Sequence, residues 1–306
     1  MQRRTFLKQI GATTFLIGSG LPTALAFDRT QQTTTIHILH TNDWHSRIDP
    51  FPADSGRFAG LGGAIRRAQL LEQLRSELPY KLLLDSGDIF QGTPYFNFYE
   101  GELEFKLMSA MQYDLATIGN HDFDAGISKL AQQMRYALFD FVNCNYVFNN
   151  TPLQGRIKPY RIFTRGPIKI GILGVGIELE GLVAPSLYGD TLYLDPIETV
   201  NATARLLKEE EACDLVICLS HLGYKYRENK VSDHDLAAAS SHLDIILGGH
   251  THTFLDEPTV VLNQRQQPVL INQVGWGGVC LGHIDVTFDE KRGKKCVGCK
   301  NEWIGV

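Results

Sequence analysis

The feature that most constrains this chain is a series of short, continuously apolar runs, each ending in a polar segment. Runs of this kind are expected at 34–40, 81–85, 115–119, 139–145, 168–175, 214–220, 243–249, 268–274 and 280–289. Strands that are apolar throughout, without alternation, are covered on both faces. Longer segments with helical periodicity lie between them, at 61–77, 100–112, 126–138 and 196–211. In the last of these, Asp195 and Pro196 form an N-cap and first helical residue. Ile197, Val200, Ala204 and Leu207 share one face there, and Glu198, Arg205 and Glu209 face water. The expected fold is a layered α/β domain with helices outside sheets.

Open α/β sheets bind ligands beyond the carboxyl ends of their strands, so the residues just past each strand are informative. The first strand leads into Asp43 and His45, the second into Asp88, and the third into Asn120, His121 and Asp124. His221 comes after a later strand, and His250 and His252 come after "ILGG". In extended backbone, residues two apart point the same way, so each D-x-H or H-x-H pair is expected to aim two donors at one point. Gly248 and Gly249 would let the chain turn and approach an ion closely. Singly, each element reads as a polar strand end. Together, the five point to a metal centre.

The stretches "ILHTNDWHSRI", "LLLDSGDIFQGTP", "ATIGNHDFDAG", "LSHLGY" and "LGGHTHT" succeed one another in order. They resemble the successive motifs of the calcineurin-like metallophosphoesterases, and within these the amino-terminal catalytic domain of the 5′-nucleotidase group. "LGGAIRRAQLLEQLR" and "INQVGWGGVCLGHIDV" resemble that group's flanking segments. The resemblance runs from about residue 35 to 289 and implies a four-layer α/β/β/α sandwich. It also implies two divalent metal ions. One would be held by Asp43, His45, Asp88 and His252, and the other by Asp88, Asn120, His221 and His250. Imidazole, carboxylate and amide oxygen suit Zn, Mn, Fe or Co. His121 is left to assist the departing oxygen of a phosphate ester, with Asp124 orienting its ring. Asp124 also reads as a carboxylate satisfying free N–H groups at a helix start. Asn120 and His121 are the substrate-facing positions.

With 29 basic and 34 acidic residues, the chain carries a formal charge of −5. No basic patch for nucleic acid is evident. An acidic protein acting on an anionic phosphate needs local positive charge, which a metal pair provides. Residues 1–26 read as an export signal: Arg3, Arg4 and Lys8 precede an apolar run that ends in Ala24-Leu25-Ala26. The run is too short and glycine-broken for a stable membrane anchor. "RRTFLK" resembles the twin-arginine signal, which implies the twin-arginine export machinery as a partner and a periplasmic or extracellular location. The catalytic domain is then expected over 27–306.

The related enzymes carry a carboxyl-terminal domain that binds the nucleotide, and the residues after His252 are too few for one. Three outcomes are open. A separately encoded nucleotide-binding domain docks here, the chain acts alone on small phosphate esters, or Tyr95, Phe96, Phe98 and Tyr99 of "GTPYFNFYEG" substitute, although packing beneath a loop is their plainer role. A catalytically weak or inactive metal-bearing subunit and a thiosulfohydrolase-like hydrolase are the alternative functions. Cys144, Cys218 and Cys280 read as buried strand residues, Cys213 has no evident partner, and Cys296 and Cys299 read as a local disulfide or an ordinary tail. His37, His40, His234, His242 and His283 match no motif and read as structural or solvated.

Overall fold

The computed structural model describes residues 33–289 and 293–305, with side chains from 290 to 297 left aside. The expected export signal over 1–26 lies outside the described residues. The strands are β1 (Thr33–Thr41), β2 (Lys81–Asp85), β3 (Leu115–Ala116), β4 (Asp140–Phe141), β5 (Tyr146–Val147), β6 (Tyr160–Arg165), β7 (Ile168–Gly176), β8 (Leu192–Tyr193), β9 (Leu215–His221), β10 (Ile245–Leu247), β11 (Thr259–Leu262), β12 (Pro268–Asn272), β13 (Cys280–Asp289) and β14 (Gly293–Trp303). The helices are α1 (Ala64–Glu77), α2 (Pro94–Tyr99), α3 (Glu102–Ala110), α4 (Ile127–Gln133), α5 (Pro185–Tyr188), α6 (Pro196–Arg205) and α7 (Asp233–Ala239).

Two six-stranded sheets form, in the orders β14-β13-β1-β2-β3-β4 and β11-β12-β10-β9-β7-β6, and β5 pairs with β8. The inner strands of each sheet run parallel, so their carboxyl ends lie along one edge. The edge strands β6 and β11, and the pair β13 and β14, are antiparallel.

Side-chain parity places the cores. Ile36, Ile38, Leu82, Leu84 and Ile284 of the first sheet meet Ile170, Ile172, Leu215, Ile217 and Leu247 of the second in one buried cluster. The opposite face of the first sheet, through Leu39, Leu83 and Leu281, packs on Leu71 of α1, Phe105 of α3 and Leu130 of α4. The opposite face of the second sheet, through Val216, Cys218 and Ile246, packs on Val200 of α6 and Leu236 of α7. The result is the expected α/β/β/α sandwich. Asp195 caps α6 by accepting the Glu198 amide N–H, and Val200, Ala204 and Leu207 are buried as their spacing requires.

Several elements are shorter than their apolar runs. The run 115–119 leaves the sheet after Ala116, and 139–145 pairs over only Asp140–Phe141. The helix expected over 100–112 forms as α3, Glu102–Ala110, and the separate helix α2 precedes it across Glu100 and Gly101, both at positive φ. That expected over 126–138 ends at Gln133 and continues as a 3-10 turn, and the one expected over 196–211 widens into a π turn at Leu206–Glu210. Cys144, Cys213, Cys218 and Cys280 pack as small apolar groups, while the expectation for Cys296 falls partly outside the described side chains. Among the described residues, no helix is long and apolar enough to cross a membrane.

Ile217 sits at the centre of the inter-sheet core and is fully buried. Ile217→Ala is expected to lower unfolding stability by about 2–5 kcal/mol through lost transfer energy and a residual cavity, as read by urea denaturation at unchanged slope.

Candidate metal centre

Every expected site residue except Asp124 lies immediately beyond or at a strand end, and all of them gather at the shared carboxyl edge. Asp43, His45 and His252 bring one ligand atom each within 4.8 Å of one another, and Asp88, His221 and His250 do the same. The two clusters adjoin at Asp88, whose Oδ2 lies 3.1 Å from His221 Nε2 and 3.8 Å from His45 Nε2. His252 Nε2 is 3.0 Å from His45 Nε2 and 3.4 Å from Asp43 Oδ1. Asn120 Oδ1 lies 2.8 Å from His250 Nδ1.

The convergence does not come from extended backbone. Asp43, His45, Asp88, His250 and His252 all have φ between 50° and 71°, the left-handed region that side chains rarely enter. Such conformations cost about 1–3 kcal/mol each and persist only where surrounding structure imposes them. The two-pronged H-x-H pair expected from strand parity is therefore not what forms: His250 joins Asp88 and His221, whereas His252 joins Asp43 and His45. Gly248 and Gly249 serve close packing, without the positive φ of a sharp turn. A Cβ on Gly249 would meet His221 Nδ1 at 2.9 Å and Asp43 Oδ2 at 3.1 Å.

Backbone bonds hold the ligand loops in place. The amides of Asp43, His45 and Ser46 donate to the carbonyls of Gly87, Asp88 and Ile89 at 2.9, 3.1 and 3.0 Å. Asp122 accepts from the amides of Asp88, Ile89, Phe90 and Gly119 at 2.8–3.2 Å, clamping the second loop to the third. Burial and the neighbouring Asp88 push its pKa up, against these bonds. Asp43 accepts the His250 amide and the Asn42 side-chain amide. Trp276 stacks on His252 at 5.5 Å between ring centres. Reading strand ends for ligands did not reveal Asp122, Asn42 and Trp276 as supports. The only signals for them were "GNHD" as a turn and the flanking "QVGWGG".

These residues fit a pair of divalent cations. His45 Nδ1 faces the Phe90 carbonyl at 3.2 Å and His221 Nδ1 faces that of Ser86 at 2.7 Å. A carbonyl accepts only, so both rings carry a proton on Nδ1 and turn Nε2 toward the centre. His221 Nε2 is fully buried and lacks hydrogen-bond geometry toward any partner among the described residues. Burial disfavours the Asp88 charge, but His221 followed by His45 and His121 holds its pKa well below the usual carboxylate range. Burial lowers the His221 pKa, and the Asp88 charge beside it reverses this to a net rise. Burial pushes His250 down to about 4 and also lowers His45. Two imidazoles ready to coordinate therefore flank one ion pair that a cation must open.

His121 has its Nδ1 2.8 Å from Asp124 Oδ2, and its amide donates to Asp88 Oδ1 at 2.8 Å. The Asp124 bond raises its pKa, with burial opposing and Asp88 assisting. Asp124 is itself the residue after a 3-10 turn, His121–Phe123, and caps no helix with its side chain. Beside the centre, Thr93 Oγ1 donates to the Ser46 carbonyl at 2.7 Å and opens a groove of about 740 Å³ lined by Arg47, Ile48, Tyr95, Phe98 and Tyr99. Of the four aromatics in "GTPYFNFYEG", only Phe96 is buried, and Phe98 is 81% exposed.

The family model for calcineurin-like phosphoesterases matches residues 36–254. The chain belongs to that family. Among curated calcineurin-like relatives, it is 32% identical over 277 residues to the snake venom 5′-nucleotidase of Crotalus adamanteus, covering 83% of this chain and 45% of that protein. It is also 32% identical over 285 residues to the trifunctional nucleotide phosphoesterase protein YfkN of Bacillus subtilis, covering 83% of this chain and 18% of that protein. The solved 5′-nucleotidase precursor from Thermus thermophilus superposes with a TM-score of 0.79 at 30% identity, covering 89% of this chain and 55% of that one. This calcineurin-like chain thus spans less than half the length of the two curated relatives.

Because His221 is held protonated by Asp88 in the metal-free protein, cation uptake near neutral pH is expected to expel about one proton. Calorimetry in buffers of different ionisation enthalpy reads that proton; uptake without release would contradict the Asp88–His221 ion pair. The pair stabilises the metal-free fold below the ordinary histidine pKa, and this is lost as pH rises through the raised value.

Proposed function

We propose that the chain is an exported, metal-dependent phosphoesterase of 5′-nucleotidase type, acting on nucleotides or related phosphate esters. The observation that carries this reading is the buried carboxylate of Asp88, which belongs to one His/Asp cluster, lies 3.8 Å from His45 of the other, and accepts the His121 amide. Asp43, His45, Asp88 and His252 would hold one divalent cation, and Asp88, Asn120, His221 and His250 the other. Bound there, such a pair supplies positive charge for the phosphoryl oxygens and a water nucleophilic near neutral pH.

The remaining work falls to the chain's own side chains. Asp124 fixes the His121 ring through Nδ1 and favours its protonated form, so that Nε2 carries a proton toward the departing oxygen. Asn120, beside His250, positions the phosphate edge of the substrate. The rings of His121 and His252 are the more exposed parts of the centre, whereas Asp43, Asp88 and His221 are sealed from water. The phosphoryl group therefore enters first and the leaving group faces outward. Phe98 and Tyr99, in the groove beyond Ser46, offer aromatic surface to a base, worth about 1–3 kcal/mol where a ring stacks.

Residues 1–26 serve as a twin-arginine-type leader in this reading, with the catalytic domain over 27–306 and a periplasmic or extracellular destination. A separately encoded nucleotide-binding domain is the proposed partner for substrates too large for the groove alone.

The test is phosphate release by purified protein supplied with Mn or Zn, across nucleotides and a chromogenic phosphate ester, with and without chelator. His121→Asn is expected to lower turnover about 10²–10⁴-fold with metal content retained. Asp88→Asn is expected to lose both. Equal loss of metal in the two variants would remove His121 from its role, and metal-replete protein with no activity on any ester would favour a non-catalytic subunit.

A further inference from the structure

A second convergence of ligating side chains lies on the first sheet, away from the centre just described. His37 on β1 pairs directly with Asp285 on β13, and His283 is two residues before Asp285 on the same face. His37 is four residues before the end of β1, about 13 Å along the strand from the carboxyl edge. Its Nδ1 is 2.6 Å from Asp285 Oδ1, and His283 Nε2 is 3.0 Å from that same oxygen. One ligand atom from each of the three lies within 4.8 Å of the others.

Both histidines matched no motif and read from sequence as structural or solvated. Their environment departs from that of a satisfied hydrogen-bonded pair. His283 Nε2 is a buried atom without hydrogen-bond geometry, although it approaches Asp285 closely. Nδ1 of the same ring lies 3.9 Å from Glu302 Oε1 on β14, within ion-pair range but beyond a hydrogen bond. Lys300 Nζ pairs with Glu302 at 3.0 Å, and the nearby Lys81 Nζ is occupied by the carbonyls of Arg75 and Leu78. Neither lysine is paired with Asp285.

We propose that His37, His283 and Asp285 form a separate site for one zinc-type divalent cation, with the Glu302 carboxylate adding negative charge nearby. Two imidazoles and a carboxylate are a borderline donor set, which selects zinc or cobalt over magnesium or calcium. Ligand atoms around a tetrahedral ion at about 2.0–2.2 Å stand roughly 3.4 Å apart, so closure asks for movements of about 1 Å or less. Paired strands of a central sheet provide that precision better than loops do. The ion would tie β1 to β13. Its role is to hold the carboxyl-terminal strands, with no part in hydrolysis.

Chelator-stripped full-length protein is titrated with zinc and with cobalt, and bound metal per chain is measured by elemental analysis. His283→Gln is expected to bind about one equivalent less than the unsubstituted chain, with turnover within about twofold and a smaller zinc-dependent rise in Tm. His37→Gln gives the same comparison from the other strand. Asp88→Asn is expected to keep this equivalent while losing the catalytic pair. Equal zinc content in the unsubstituted chain and a folded His283→Gln would overturn the site. So would an Asp88→Asn chain that binds no cobalt, a result that needs no change at the site itself.

Discussion

The candidate centre depends on one buried anion. Asp88 lies at the end of β2 between two groups of imidazoles, and its charge is offset by His221, by His45 and by the amide of His121. An isolated carboxylate in such a position would cost several kcal/mol and would take up a proton. Here the surrounding donors keep it ionised, and they do so only if five separate loops reach the same place. All five of those loops follow strands with a parallel partner, which explains why two sheets with aligned carboxyl edges are the scaffold: parallel pairing brings distant segments of chain to one rim.

The geometry at that rim is held against local preference. Five of the seven expected ligand residues occupy left-handed backbone, and neither their side chains nor their neighbours relieve that strain. What does so is bonding between the loops. Three amides of the first loop are received by the second, and Asp122 gathers four amides from the second and third. Each buried amide left without an acceptor would cost about 1–3 kcal/mol, so the bonds over-determine the strained turns. Gly119 and Gly249 permit this crowding, because a Cβ at either position would run into Asp88 or His221.

Much of this was legible in sequence, and the residues show why. Fully apolar strands such as β7 and β9 announce a covered sheet, and the Asp, Asn and His just past them identify its functional edge. The edge strand β14 escaped notice because its Lys and Gly residues break any continuous apolar run, and β11 because its run is only four residues long. Helix α7 escaped because its seven residues are too few for a period, although Ser232 and Asp235 form a capping box. The pairing of His250 with His221, and of His252 with His45, comes from positive φ values that an H-x-H spacing does not disclose. Asp122 showed only as the Asp of a possible turn in "GNHD": it does accept nearby backbone amides, but its reach to the second loop leaves no trace in side-chain patterning.

The unequal burial of the centre also bears on how such a domain changes its preferences. Its floor is sealed and fixed by bonds among loops, so substitutions there disturb everything at once. In the groove beyond Ser46, by contrast, Phe98 stands almost entirely in solvent, where a replacement leaves no cavity behind. New selectivity therefore arises most readily by altering what borders the opening, or by covering it with another polypeptide, while the interior chemistry passes unchanged from one descendant to the next.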